Sequence, residues 1–222
     1  MRKMMILFTV FVLALMLINP DAQAWLMEFK DQKTLDLDTW TPVGGTWDVN
    51  DGLLEGITAG YEDLMLDLDG ASAWTDYTFE VKGNLTAGRV WGVCFRYVDT
   101  MTNYRINLYE DLDATDNFYV YKRVGGTFSE VMKVGVGEIK MNEWYTIRLT
   151  VKGKSITVYL DDDLKIEVDD ASGVIEEGGI ALQGETNTNF QVEYVQIDGE
   201  GIPPTAVDTK GKLATLWGAV KN

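Results

Sequence analysis

RVWGVCFRYVDTMTNYRINLY, residues 89–109, decides the fold. It divides into two strands joined at Asp99–Asn103. In the first, Trp91, Val93, Phe95 and Tyr97 alternate with Val90, Gly92, Cys94 and Arg96. In the second, Tyr104, Ile106 and Leu108 alternate with Arg105, Asn107 and Tyr109. Successive side chains of a strand point to opposite faces of a sheet. The sets Trp91/Val93/Phe95 and Tyr104/Ile106/Leu108 are therefore expected on one apolar core face. The other face receives Arg96, Arg105, Asn107 and Tyr109, a polar and aromatic mixture that a packed core would not select.

Outward from this hairpin the chain repeats the same grammar. Trp25–Phe29 reads as a short first strand, and Asp36 to Gly45 as a turn region. The run Gly45-Thr46-Trp47-Asp48-Val49-Asn50-Asp51-Gly52-Leu53-Leu54 predicts a hairpin, because Asp-Gly between alternating runs sets a tight turn. Strands are also expected at Leu64–Leu68, Thr78–Lys82, Phe118–Arg123, Thr127–Val134 and Glu143–Lys152. Ser155–Leu160, Leu164–Val168, Gly178–Gln183 and Phe190–Ile197 complete the set. About a dozen short strands, punctuated by turn residues and with no convincing helix, predict an all-β, two-sheet antiparallel β-sandwich in one domain, residues 25–201.

Both ends read differently. Arg2 and Lys3 precede an apolar run, Met4 to Ile18, and then Ala22-Gln23-Ala24. This is the order of a signal peptide cut after Ala24. The apolar run is short for a bilayer span of roughly 20 residues, so no membrane span is expected after cleavage. The chain reads as exported from a bacterium, to the periplasm, the cell surface or the medium. At the other end, Ile202-Pro203-Pro204-Thr205 reads as a linker. In Lys210 to Asn222, Leu213, Leu216, Trp217 and Val220 fall on one face of a short amphipathic helix. This tail, residues 202–222 with its linker, is either a docking segment for a protein partner or a helix packed on the sandwich.

Composition excludes several functions. Setting aside Arg2, Lys3 and Asp21 leaves 17 basic and 34 acidic residues, a net charge of −17. Nucleic acid and anionic membranes reward positive charge and are not expected partners. The 222 residues contain no histidine. That removes Ser-His-Asp and Cys-His arrangements and most zinc sites. The single cysteine, Cys94, cannot form an internal disulfide and reads as a small buried residue.

The polar face is the candidate ligand site: Arg96, Arg105, Asn107, Tyr109 and, from the next strand, Tyr121. Planar aromatic rings stack on the apolar faces of sugars, while arginine and asparagine offer directional hydrogen bonds to hydroxyls. The plainer reading leaves Arg96 paired with an acidic neighbour and the tyrosines as ordinary surface residues. Trp40, Trp47, Trp74, Trp91 and Trp144 read as core or edge packing. The acidic runs Asp111–Asp116 and Asp161-Asp162-Asp163 lack the spacing of a calcium loop. Asn84-Leu85-Thr86 matches a glycosylation acceptor that a bacterium would leave idle.

In order and spacing the chain resembles the concanavalin A-like jelly rolls, in the branch around laminin G-like domains, family 66 carbohydrate-binding modules and three-keto-disaccharide hydrolase domains. The resemblance rests on Trp40, Gly45-Thr46-Trp47-Asp48-Val49 and Trp74-Thr75-Asp76-Tyr77-Thr78-Phe79. It continues through Gly92-Val93-Cys94-Phe95-Arg96, Asn103-Tyr104, Trp144-Tyr145, Gly178-Gly179-Ile180-Ala181-Leu182 and Val195-Gln196-Ile197-Asp198. It covers residues 25–199. It implies a jelly roll that binds poly- or oligosaccharide, often with a structural calcium, for which Glu28 and Asp198 match the terminal ligands of related folds. It also raises a glycoside hydrolase alternative. The paired glutamates such enzymes carry on one strand have no counterpart in Glu167-Val168-Asp169 or Glu138 to Glu143, and Asn103-Tyr104-Arg105-Ile106-Asn107 holds no carboxylate. The expectation is thus a non-catalytic, lectin-like module, with the hydrolase and a laminin G-like protein-binding module as alternatives.

Overall fold

A computed structural model describes residues 24–110, 116–172 and 175–203. The signal segment up to Gln23, the tail from Pro204 onward and the Asp111–Thr115 part of the first acidic run lie outside the described residues. Among the described residues fifteen strands follow in chain order. The first five are β1 (Trp25–Glu28), β2 (Trp40–Val43), β3 (Thr46–Asn50), β4 (Leu53–Thr58) and β5 (Glu62–Leu66). The central group is β6 (Tyr77–Ala87), β7 (Val90–Asp99), β8 (Thr102–Tyr109), β9 (Asp116–Val124) and β10 (Thr127–Gly137). The last are β11 (Tyr145–Lys152), β12 (Ser155–Leu160), β13 (Asp163–Asp169), β14 (Gly179–Gly184) and β15 (Thr188–Gly199).

They form two antiparallel sheets. One runs β13-β12-β11-β6-β15-β4-β3, the other β10-β9-β8-β7-β14-β5-β2. β15 is long enough to take two partners on one side: Thr188–Val192 pairs with β4, and Tyr194–Ile197 pairs with β1. The expected all-β sandwich is the fold observed.

One difference from the sequence reading concerns β2. Thr41 to Val43 read as part of a turn region, and Pro42 cannot donate to a ladder. Yet Trp40–Val43 pairs with β5. β2 is the outermost strand of its sheet, the one position where a missing N–H leaves no neighbour unpaired.

The two apolar faces meet in one core. Phe79, Val81 and Leu85 of β6 and Val192, Val195 and Ile197 of β15 are buried against Trp91, Val93 and Phe95 of β7 and Ile106 and Leu108 of β8. Trp91 stacks on Phe190 with ring centroids 5.9 Å apart, and Phe95 on Tyr104 at 5.0 Å. Each such side chain contributes roughly 1.5–3 kcal/mol through burial. Trp25, Trp40, Trp47, Trp74 and Trp91 all join this core. Trp144 does not: it is 36% exposed, with Lys82 lying over its ring at 5.8 Å.

A polar clamp closes one end of the sandwich. Asp170, just beyond β13, accepts hydrogen bonds from the Tyr104 hydroxyl at 2.7 Å, Lys122 at 3.1 Å and the Ser172 backbone at 2.8 Å. Tyr104 and Lys122 lie opposite each other on β8 and β9. The carboxylate therefore ties the segment after β13, in one sheet, to two strands of the other. Burial pushes the Asp170 carboxyl up, but the hydrogen bonds from Ser172, Tyr104 and Lys122 outweigh it and hold the group well below the usual range.

Candidate functional site

The outward face of the second sheet is built in rows by its register. Asp63, Gln183, Gly92, Asn107 and Tyr119 succeed one another across β5, β14, β7, β8 and β9. The next row carries Met65, Ala181, Cys94, Arg105 and Tyr121. Gly92 sits where β7 and β8 press together: a β-carbon there would lie 1.9 Å from the Ile106 carbonyl oxygen. Cys94 packs with Ala181 and Tyr97 in a small apolar cluster beneath the polar groups.

Arg105 anchors the face. It is fully buried, donates from Nε to Asn103 Oδ1 at 3.0 Å, and meets Asp63 at 3.2 Å. Asp63 also accepts from the Tyr97 hydroxyl at 3.1 Å. Burial raises the Asp63 carboxyl, and the Arg105 charge and Tyr97 offset only part of the rise. A second carboxylate, Glu185, follows β14. It accepts from Asn107 Nδ2 at 2.5 Å and from the Tyr109 hydroxyl at 3.1 Å. Its carboxyl is likewise raised by burial, against the pull of Tyr109 and Arg105. Sequence reasoning named neither carboxylate, because each comes from a strand distant in sequence from the central hairpin. The only available signal was their place beside Leu64 and Gly184 in alternating runs.

The aromatic part of the face lies over β8 and β9. Tyr119 and Tyr121 stack at 5.2 Å with planes 6° apart, and Tyr109 meets Tyr119 edge-on at 4.8 Å. Burial raises the Tyr121 phenol to about 12, so it keeps its donor at neutral pH. Tyr61, from the β4–β5 turn, and Phe128, from the start of β10, reach the same face from opposite ends of the strand order. Their rings meet at 5.3 Å. The guanidinium groups of Arg105 and Arg123 both lie under these two rings, at 4.7–6.0 Å from the centroids.

Of the five ligand residues read from the sequence, Arg105, Asn107, Tyr109 and Tyr121 come together here. Arg96 does not. It has φ of 44° and is the extra residue where β7 slips in register against β14, between Phe95 and Tyr97. The bulge reverses the alternation. Tyr97 turns to the outward face and Arg96 turns away from it, donating to the carbonyls of Thr75 at 3.1 Å and Ile175 at 3.0 Å. Its backbone N–H donates to the Tyr77 hydroxyl at 2.7 Å. Arg96 serves the loops rather than the face.

Glu28 and Asp198 do not fit one calcium. Glu28 pairs with Tyr194 in the β1–β15 ladder, four residues from Asp198, or about 13 Å along a strand. Glu28 instead meets Lys30 at 2.9 Å. Among the described residues, no three His, Cys, Asp or Glu side chains stand close enough to hold a metal ion.

Several polar atoms of this face are buried without a partner: Arg105 Nη1, Asn107 Oδ1, Arg123 Nε and both amide atoms of Gln183. Gln183 lies beside Glu185 and lowers its proton affinity, without a well-formed hydrogen bond. Buried polar groups are nearly always satisfied, and a cluster of exceptions on one face points to a group from outside the chain.

A two-sheet sandwich with such a face is a concanavalin A-like jelly roll. The chain belongs to the family of 3-keto-alpha-glucoside-1,2-lyase-like domains, which matches residues 28–198. Among solved structures, it is similar to the carbohydrate-binding module CBM66 from Bacillus subtilis, with a TM-score of 0.60 and 24% identity over 70% of this chain and 94% of that one. It is similar also to LamA from Z. galactanivorans in complex with laminaritriose and laminaritetraose, with a TM-score of 0.58 and 13% identity over 81% of this chain and 99% of the other. A curated relative, an extracellular exo-alpha-L-arabinofuranosidase of Streptomyces chartreusis, is 31% identical over 128 residues. That match takes in 57% of this chain but 15% of the relative's length.

Proposed function

We propose that the protein is an exported saccharide-binding domain whose ligand sits on the outward face of β8, β9 and β14. One observation carries this reading. Buried hydrogen-bonding groups on Arg105, Asn107, Arg123 and Gln183 are unspent beside a stacked tyrosine ladder. Sugars present hydroxyls around their edge and C–H groups on their faces, and such a wall of donors, acceptors and rings complements both. The carbohydrate-directed names of similar structures and of the arabinofuranosidase support the same reading. The leader-like N-terminus and the relative's extracellular description support export. Among the described residues no helix is long and apolar enough to cross a membrane.

A second reading, catalysis, is favoured by one arrangement. Asp63 and Glu185 are two buried carboxylates with raised proton affinity, both acting on Arg105. Lyase and hydrolase chemistry both use a positioned acid or base, a role that a carboxyl group of raised proton affinity can fill. Glu185, which accepts from the Tyr109 hydroxyl, is the candidate base of this reading.

The test is a glycan array with the full chain, alongside Tyr121→Ala and Tyr119→Ala. Binding lost in these variants, with the fold intact by circular dichroism, supports the site. Product released from bound glycans and abolished in Glu185→Gln would establish the catalytic reading. Binding to no glycan overturns the proposal and turns attention to protein partners.

A further inference from the structure

Resting on the saccharide-binding reading, we infer that this face selects a saccharide bearing an anionic group, a carboxylate or a sulfate ester, and that Arg105 and Arg123 receive it. Arg105 uses Nε on Asn103 and Nη2 on Asp63, and its Nη1 is buried without a partner. Arg123 donates from Nη1 to the Thr100 carbonyl at 2.5 Å, and its Nε is buried without a partner. The two side chains belong to neighbouring strands, with Asn103 opposite Arg123 in the β8–β9 ladder. They share the same two aromatic rings as cover. Two unspent guanidinium donors in one place match the paired oxygens of a carboxylate or sulfate, which neutral hydroxyls match less well.

The local charge permits this. Elsewhere the chain is strongly acidic, but this face gathers Arg105, Arg123 and Lys133, the last with Nζ 4.9 Å from the Tyr119 ring centroid. Facing them are Asp63, Glu185 and, opposite Tyr121, Glu130. Asp63 is engaged with Arg105, and Glu185 with Asn107 and Tyr109. Three cations and three carboxylates thus balance in number across the face, and Arg123, whose Nη1 is spent on the Thr100 carbonyl, keeps an orphan Nε donor. At physiological salt the more distant acidic residues are screened over about 8 Å.

The two rings near both guanidinium groups are themselves reached by solvent. Tyr61 is 51% exposed and Phe128 36% exposed. Tyr61 lies in a turn, next to Gly60, around which there is open space.

The experiment measures calorimetric affinity of the full chain for matched pairs: oligogalacturonate against its methyl ester, and a sulfated oligosaccharide against its desulfated form. In at least one pair the acidic member is expected to bind ten-fold or more tightly, with the advantage shrinking at 0.5 M sodium chloride. Arg123→Gln is expected to erase that advantage. Where that variant fails to fold, the salt dependence of the unaltered chain still decides. Equal affinity within both pairs overturns the anion assignment and leaves saccharide binding standing. Blank titrations with all four probes also overturn it. A blank neutral glycan array besides would remove the saccharide reading itself.

Discussion

Arg105 and Asp63 meet at 3.2 Å with neither side chain accessible to solvent, although two strands of the sheet, β7 and β14, lie between theirs. A long cation on one strand and a short anion on another thus span the outward face and define its floor. Removing one partner of a buried pair strands the other charge, which costs about 3–5 kcal/mol. Asp63→Ala and Arg105→Ala are each expected to lose stability on this scale in urea unfolding. Asp63→Leu combined with Arg105→Met is expected to recover most of it, because neither charge is then left buried. A double variant as unstable as the sum of the two single changes would show that the pair is not coupled.

Glu185 controls a pH dependence of opposite sign to that of most carboxylates. Burial raises its proton affinity in the folded chain above the ordinary value of 4.5. Between the two values the folded protein holds a proton that the unfolded chain has released. Stability is therefore greatest below the ordinary carboxylate value and falls as pH rises through the raised one, by at most about 1.4 kcal/mol per pH unit per group. Asp63 acts in the same direction. Glu185→Gln is expected to flatten the decline above pH 4.5 measured by urea unfolding, with Asp63 leaving a residual slope. An unchanged profile would contradict this assignment.

The Asp170 clamp predicts the reverse behaviour at acid pH. Its carboxyl is held below the usual range, so its contribution is present above the unfolded value and is lost as pH falls below it. Tyr104→Phe removes a 2.7 Å hydrogen bond to a charged group and is expected to cost about 1.5–3 kcal/mol at pH 7. Lys122→Met is expected to cost more, because it takes a charge from a buried pair. Both differences should shrink as the pH is lowered and Asp170 is protonated. Losses independent of pH would indicate that packing, not the carboxylate, sets the cost.

Most strands were legible because period-two alternation and Asp-Gly turns are local signals. Ser155–Leu160 coincides with its strand, and the central hairpin was located to within a few residues. β2 was missed because Pro42 argues locally against a strand, while the outermost place in a sheet argues for it. Half of the candidate site was visible for the same local reason: Arg105, Asn107 and Tyr109 share one strand, and Tyr121 lies on the next. Asp63, Glu185, Gln183 and Tyr61 were not visible. Nothing in their neighbourhoods says that β14 lies beside β7 and β5 beside β14.

Arg96 marks the boundary most sharply. Alternation alone places it with Arg105, and a single bulge residue with positive φ sends it elsewhere while bringing Tyr97 to Asp63. The sequence by itself determined the all-β class, the apolar face and the chemistry of the polar one, since these depend on periodicity and side-chain type. Only the tertiary structure decided which carboxylates meet Arg105, which donors stay unspent and which rings cover them. Those relations depend on strand order and register, set by long-range packing that no short stretch of chain encodes.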